Sequence, residues 1–159
     1  MVVAVNCNIK LDNSGLKEVL KACNEFKKKI MVGYLTNSEL ANKAAQNEFG
    51  ADNGVLENGE KISIPPRPFI THAMDLYKND ILNSGNIFLE KDFNKNSVKE
   101  KMISVAQNAR DAIGVSIEDV QTWSRYPHNS PRTIEQKGFD LPLVNTGAMR
   151  DGVEYKIGE

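Results

Sequence analysis

Apolar and polar side chains alternate at both ends of the chain, with the two-residue period of a strand. Near the start, over residues 2–10, one face of the predicted strand carries Val3, Val5, Cys7 and Ile9. Residues 153–157 near the end alternate in the same way. A short apolar run at residues 30–35 is also typical of a strand. The pattern therefore predicts three strands that are far apart in the chain.

Apolar residues that recur every three or four positions predict the helices. The stripe of the first helix, over residues 15–29, consists of Leu16, Val19, Leu20, Cys23 and Phe26. Cys23 is interpreted as a small core residue of that stripe. The second helix is predicted to begin at a capping box, in which Thr36 and Glu39 satisfy each other's backbone N–H, and to end at Gly50.

Two further long helices are predicted in the second half of the chain. Pro68 suits the first position of a helix, where its missing N–H costs nothing, and that helix is expected to run to about residue 82. The next begins at a second predicted capping box, Ser97 with Glu100, and its stripe ends at Gly114. Shorter helical segments are predicted over residues 116–123 and 133–137.

The long segment between the second and third helices is predicted to be a hairpin. It covers residues 51–66 and contains an Asn58-Gly59 step between two runs that suit strands. An Asn-Gly pair accepts the positive φ angles of a tight turn. We therefore expect a single α+β domain over residues 1–159, with a mixed or antiparallel sheet of about four strands. Helices would pack on one face of that sheet, and residues 51–66 would protrude as a hairpin arm.

Composition narrows the class of protein. The chain has 159 residues, 40% of them hydrophobic, and a net charge of −1, which suits one globular domain and argues against a dedicated nucleic-acid binder. The first residues lack the features of a signal peptide, and no apolar run approaches the length of a membrane span. Charge is uneven: residues 31–66 carry two lysines against five acids, net −3. Such a segment is either solvated surface or half of a contact between identical subunits.

The sequence offers no catalytic or metal-binding pattern. His72 and His128 lack a partner at ligand spacing, and Cys7 and Cys23 lie in predicted secondary structure. Neither of the common glycine-rich phosphate loops is present. Trp123 is interpreted as a core or interface anchor, because no basic stripe accompanies it. We therefore predict a protein that is not an enzyme and uses no metal or cofactor.

Two segments combine stiff prolines and glycines with a few apolar anchors, which fixes the shape of a loop and lowers the entropy lost on docking. The first contains Glu48-Phe49-Gly50 and then, after the arm, Ile64-Pro65-Pro66-Arg67-Pro68-Phe69. The second runs from Lys137-Gly138 to Pro142-Leu143-Val144-Asn145-Thr146-Gly147-Ala148-Met149-Arg150. Between them lie Trp123 and the turn Asn129-Ser130-Pro131-Arg132-Thr133.

In the order and spacing of these motifs, residues 48–157 resemble the tail-completion or head–tail joining proteins of the neck of long-tailed bacteriophages, related to the minor tail protein Z type. Two positions depart from the family pattern. Asn145 stands where the family usually has aspartate, and Gly152 stands where a serine is common. The first departure removes an ionic role for position 145.

The resemblance implies a structural virion protein, in the neck or tail, that is made and assembled in the cytoplasm of a bacterial host. Copies would form a ring, with six-fold closure implied by the family, and would contact connector and tail-terminator or tube proteins. DNA would pass through the channel without sequence-specific binding, and Asp52, Glu57 and Glu60 of the arm would face that channel or a neighbouring subunit. The residues also suit an alternative, a small intracellular protein-binding or regulatory module without catalytic activity.

The candidate interface residues follow from the two motif segments: Glu48, Phe49, Gly50, Arg67, Pro68, Phe69, Thr146, Gly147, Met149 and Arg150. Glu48 and Arg67 are expected to pair, or to bind the same backbone, and so close the base of the arm. Asn145 or Thr146 is expected to cap a short helical turn. Met149 and Arg150 are expected to project from that turn towards an adjacent subunit or ring.

Overall fold

A computed structural model describes residues 13–55, 59, 61–85 and 94–158. The strand predicted over residues 2–10 lies outside the described residues. The elements in chain order are α1 Ser14–Glu25, β1 Lys29–Gly33, α2 Ser38–Phe49, β2 Ala51–Val55, β3 Lys61–Ile64, α3 Phe69–Ser84, α4 Lys95–Glu118, α5 Val120–Trp123, α6 Pro131–Lys137, α7 Ala148–Asp151 and β4 Glu154–Gly158. The predicted α+β class is confirmed. None of the described helices is long and apolar enough to cross a membrane.

The main core lies between α3 and α4, which form the most extensive contact between two elements. Phe69 at the start of α3 and Trp123 at the end of α5 are both fully buried in it. Alanines of both helices, Ala73 on α3 with Ala109 and Ala112 on α4, are buried in this core, and their small side chains allow close packing. The predicted core role of Trp123 is therefore confirmed.

The described strands form two separate two-stranded sheets. β1 pairs antiparallel with β4, with Ile30 opposite Ile157, and this sheet packs on α4. β2 pairs antiparallel with β3, as the Asn-Gly step predicts. The single sheet of about four strands is not confirmed by the described residues and stays a prediction.

Several helix boundaries differ from the predictions. α1, for example, ends at Glu25 and not at residue 29. Asn37, not Thr36, caps α2 by accepting a hydrogen bond from Leu40 N. Thr36 instead donates to the Glu154 carboxylate on β4, 118 residues away. The capping box of α4 pairs Ser97 with Asn94, one turn before the predicted position. The helix then continues through Gly114 to Glu118, because its packing against α3 outweighs the low helix propensity of one glycine.

The predicted core stripe of α1 is wrong. Its large apolar side chains are exposed, Leu16 at 61% and Leu20 at 56%, and Cys23 is exposed as well. The helix contacts α4 through a different face, on which Ala22 is fully buried. A side chain as small as alanine allows close approach between helices, which the apolar pattern alone does not reveal.

Tyr34 ties the end of β1 to α7. Its hydroxyl donates to the carbonyl oxygen of Met149 at 2.8 Å, and burial raises the pKa of the phenol well above its usual value near 10. Because the folded-state pKa is the higher one, this contribution to stability is complete below about pH 10 and is lost as pH rises, when the unfolded chain ionises first.

We expect Tyr34→Phe to cost about 1 kcal/mol at neutral pH, the usual worth of one hydrogen bond. The variant should also lose less stability than the wild type between about pH 10 and pH 12. Thermal unfolding followed across this range tests both effects, with Tyr155→Phe on β4 as the control. Identical alkaline profiles for the wild type and Tyr34→Phe would contradict the assignment.

Candidate functional site

Glu48, near the end of α2, caps the beginning of α3. Its carboxylate accepts hydrogen bonds from Ile70 N at 2.8 Å, Thr71 N at 3.0 Å and Thr71 Oγ1 at 2.6 Å. The helix needs this cap because Pro68, at its own N-cap position, makes no side-chain hydrogen bond. The carboxylate is buried, and the positive end of the helix dipole favours its charge. The last turn of α2 is thereby fastened to the first turn of α3.

Arg67, just before α3, is also buried, with 5% of its surface exposed. One guanidinium nitrogen donates to the carbonyl oxygens of Pro127 at 2.9 Å and His128 at 3.3 Å. Burial lowers the pKa of Arg67, and the negative charge of Asp140 partly offsets this. The side chain therefore joins α3 to the turn that precedes α6.

The expected pairing of Glu48 with Arg67 is wrong, because each side chain finds backbone partners in a different segment. The ends of residues 51–66 are nevertheless held together. The backbone N–H of Arg67 donates to the carbonyl oxygen of Asn47, and the Glu48 cap lies next to this bond. The base of the segment is closed by these contacts and not by an ion pair.

Gly50 sets the direction in which the chain leaves α2. Its φ is +77°, in the left-handed region that favours glycine. A Cβ atom here would lie 3.1 Å from the Ile64 carbonyl oxygen and 3.1 Å from Cδ of Pro66, so the backbone at Gly50 passes close to the returning chain. The preceding Phe49 is 79% exposed, which makes it a large apolar side chain in solvent at the base of the arm.

Around α7, the C-terminal motif packs on α2 and on the end of α4. The expected cap from Asn145 or Thr146 is wrong, because Gly147, with φ of +80°, is the N-cap residue of the short helix and no side chain caps it. Thr146 Oγ1 accepts only a long hydrogen bond of 3.4 Å from Ala148 N. A Cβ atom at Gly152 would lie 2.5 Å from Leu40 Cδ1 and 2.8 Å from the Ala148 carbonyl oxygen. A serine at this position, as is common in the neck family, does not fit this packing.

Met149 and Arg150 project from the short helix less than predicted, because both side chains contact other parts of the chain. Met149 is partly buried and packs against the main core. Arg150 forms ion pairs with Glu118 at the end of α4 and, at 2.7 Å, with Asp151. These hydrogen bonds, first that to Asp151, raise the pKa of the exposed Arg150 guanidinium. Whether either side chain also reaches a partner stays a prediction.

Arg67 and the C-terminal motif meet at a groove of about 390 Å³. Its walls are α2, α6 and the segment from Leu143 to Met149. Leu143 adopts φ of +65°, which is unusual for a residue with a side chain. The polar and charged residues of the lining are Lys43, Asn47, Arg67, Asn129, Thr133, Lys137, Asn145 and Thr146. Arg67, Thr146, Gly147 and Met149, all predicted interface residues, thus share one cavity.

Both described histidines contact neighbouring side chains. His72 Nε2 lies 3.3 Å from Thr122 Oγ1, and its ring meets Trp123 edge to face. His128 pairs with Asp140, which also accepts a hydrogen bond from Asn129 N at 3.0 Å. Within the described ranges, no three His, Cys, Asp or Glu side chains are placed to hold a metal ion.

Sequence reasoning missed the contribution of α6 to the groove, and above all Lys137. A local signal for the helix was present, since Ser130 caps it and Gly138 ends it in the left-handed conformation. Nothing local indicates that Lys137 lies across a groove from Arg67, 70 positions earlier in the chain. Only the tertiary fold reveals that juxtaposition.

The resemblance to phage neck proteins rests on the motif residues of the sequence alone. No family model, curated protein or solved structure matches this chain.

Proposed function

We propose that this chain is a structural protein of a tailed bacteriophage that forms part of the neck ring, completes the tail and joins it to the head. The observation that carries the proposal is the convergence of the two motif segments. Arg67, from the first segment, lies with Thr146 and Met149, from the second, around one groove. Segments far apart in sequence thus line one groove, and a groove that is already ordered loses less entropy on docking.

The base of the arm supports an assembly role. Hydrogen bonds from Arg67 N to Asn47 and from Thr71 N to Glu48 hold the ends of residues 51–66 together. In our proposal this segment protrudes as a hairpin arm and reaches a neighbouring subunit, with Phe49 at its base as an apolar contact. A ring needs such head-to-tail contacts between different surfaces of each copy.

The proposed role contains no chemical step. Copies assemble around the channel, the acidic residue Asp52 faces a neighbour or the channel, and DNA passes without being held. Binding to DNA is driven by Lys and Arg contacts to phosphate, so an acidic wall allows it to slide.

The test is disruption of this gene in the phage or prophage that encodes it, followed by electron microscopy of the particles. We expect DNA-filled heads and separate tails to accumulate, and we expect the purified protein to restore joining when added to the lysate. Normal virions from the disrupted gene would overturn the proposal and favour the protein-binding module.

A further inference from the structure

The outer side of α1 carries an exposed apolar stripe, formed by Leu16, Val19, Leu20 and Cys23. Leu16 is 61% exposed and Leu20 56%, and Cys23 is exposed as well. The four residues recur at spacings of three and four, so they lie along one side of the helix. Ala22, through which the helix packs on α4, lies about 100° round the helix axis from Cys23. A contiguous apolar surface of this kind marks a contact with another molecule.

Lysines beside the α1 stripe give this surface a positive charge. Residues 14–29 carry five lysines against two glutamates. Both glutamates already pair with a lysine of α1 or of the turn that follows it. Lys17 and Lys27, by contrast, form no ion pair with any described residue. The partner that fits this surface is therefore apolar and carries negative charge.

The chain itself carries a surface with these properties, the β2 surface, formed by Phe49, Asp52 and Val55. Phe49 is 79% exposed and Val55 59%, and Asp52 lies between them in sequence and is exposed too. The sequence of residues 51–60 contains three acids and neither lysine nor arginine. The β2 surface thus complements the α1 stripe and its lysines both in apolar character and in charge.

The two surfaces lie towards opposite ends of α4. Ala22 of α1 packs with Val98 and Met102, near the beginning of α4. Phe69, at the start of α3 close to the β2 surface, accepts a hydrogen bond from Ser116 Oγ, near the end of α4. From Val98 to Ser116 the helix axis advances by about 27 Å. Complementary surfaces at opposite ends of one molecule suit a head-to-tail contact between copies, the kind of contact that closes into a ring.

We propose that the α1 stripe docks on the β2 surface of a second copy of this chain. Leu20 and its neighbours in the stripe contact Phe49 and Val55 of the next copy, and Lys17 faces Asp52. The contact rests on the proposed function, because a neck ring needs one surface of each copy to bind a different surface of the next. Pairing of α1 with α1 is disfavoured, since it would bring the surplus lysines of two copies together.

Cross-linking of the full-length chain tests the contact. One chain carries Cys7→Ser, so that Cys23 in the α1 stripe is its single thiol, and a second chain carries Val55→Cys with both native cysteines changed to serine. We expect a short bifunctional maleimide to join the two chains when they are mixed. A chain that carries both thiols should form a ladder of higher oligomers. In the control, Leu76→Cys, at a position 57% exposed on α3, replaces Val55→Cys and should give no link.

Variants separate the apolar part of the contact from the charged part. Leu16→Gln with Leu20→Gln should abolish the cross-link and leave the thermal unfolding midpoint unchanged, because both side chains are exposed in the single chain. Lys17→Glu should slow cross-linking about tenfold, and Asp52→Lys in the other chain should restore the rate. The matched control is Lys78→Glu, an exposed lysine on α3, which should have no effect.

Four results would overturn the contact. Absence of the link, or an equal link to Leu76→Cys, would mean that the β2 surface does not bind α1. Equally fast joining of Cys23 to Cys23 would mean that α1 pairs with itself, and protection of Cys23 from maleimide in the single chain would mean that the chain covers its own stripe. The neck role is judged separately by gene disruption. Normal virions together with a specific link would refute that role alone, and separate heads and tails without the link would refute this contact alone.

Discussion

Trp123→Ala is expected to lower the free energy of unfolding by about 3–5 kcal/mol, the range for removing a large aromatic side chain from a packed core. The indole is fully buried. It meets the ring of His72 edge to face, with centroids 5.7 Å apart, and lies against Tyr126 with centroids 5.0 Å apart. Its Nε1–H donates to the Ser116 carbonyl oxygen. Alanine would leave a cavity where α3, α4 and α5 meet, and the Ser116 carbonyl would keep only its backbone hydrogen bond from Asp119 N.

Trp123→Phe separates these contributions. Phenylalanine keeps most of the apolar contact and loses the hydrogen bond to Ser116, so we expect a smaller loss, about 1–2 kcal/mol. Leu82→Ala is the control for an exposed apolar side chain, 61% exposed on α3, and should cost about 0.5 kcal/mol or less. Urea denaturation measures all three variants. A Trp123→Ala loss no larger than that of Leu82→Ala would contradict the central position assigned to the indole.

Elements with purely local signals were predicted well. α2 ends one residue before Gly50, α6 ends at Lys137, one residue before Gly138, and β4 follows the alternation of residues 153–157 closely. In these places one or two glycines or a two-residue period decide the structure, and distant contacts merely agree with it. Local and tertiary preferences point to the same conformation there.

Elements decided by packing were predicted poorly. The stripe of α1 is exposed while Ala22 is buried against α4, because close approach selected a small side chain over larger apolar ones. α4 runs through Gly114 since Ile113 before this glycine and Ile117 after it are buried in the main core. The Thr36 hydroxyl donates to the Glu154 carboxylate on β4 instead of capping α2. Each outcome depends on a partner far along the chain, which periodicity does not identify.

In the candidate site too, features set by the local sequence could be predicted and contacts with distant residues could not. The positive φ angles at Gly50 and Gly147 could be predicted, because glycine is the residue that adopts such angles most readily. The partners of Glu48 and Arg67 could not, since a carboxylate and a guanidinium that flank one loop suggest an ion pair. In the fold both groups satisfy backbone instead, Glu48 at a helix start and Arg67 at two carbonyl oxygens. Helix ends and turns carry backbone N–H and C=O groups that lack a partner within the helix. The pattern of charged residues along the chain does not show where these groups lie.

Glu48→Ala is expected to lower the free energy of unfolding by about 2–4 kcal/mol, because it leaves three donors at the start of α3 without their acceptor. The backbone N–H groups of Ile70 and Thr71 and the Thr71 hydroxyl all lose the buried carboxylate. Glu48→Gln keeps one acceptor oxygen and turns an amide N–H₂ towards the other donors, so its loss should be intermediate. The matched control is Glu39→Ala, a glutamate in the same helix whose side chain is 77% exposed beside Lys43.

That exposed pair is worth about 0.5 kcal/mol, so the control should barely move the unfolding curve. A double-mutant cycle of Glu48→Ala with Thr71→Val then isolates the contact across the two helices, and we expect a coupling energy of about 1 kcal/mol or more. If α3 begins where it does because of Glu48, amide hydrogen exchange in Glu48→Ala should rise at Ile70 and Thr71 more than at Ala73, one turn further on. Equal losses for Glu48→Ala and Glu39→Ala, or additive effects in the cycle, would mean that α3 needs no cap from α2. The base of residues 51–66 would then depend on the hydrogen bond from Arg67 N to Asn47 and on the pairing of Ala51 with Ile64.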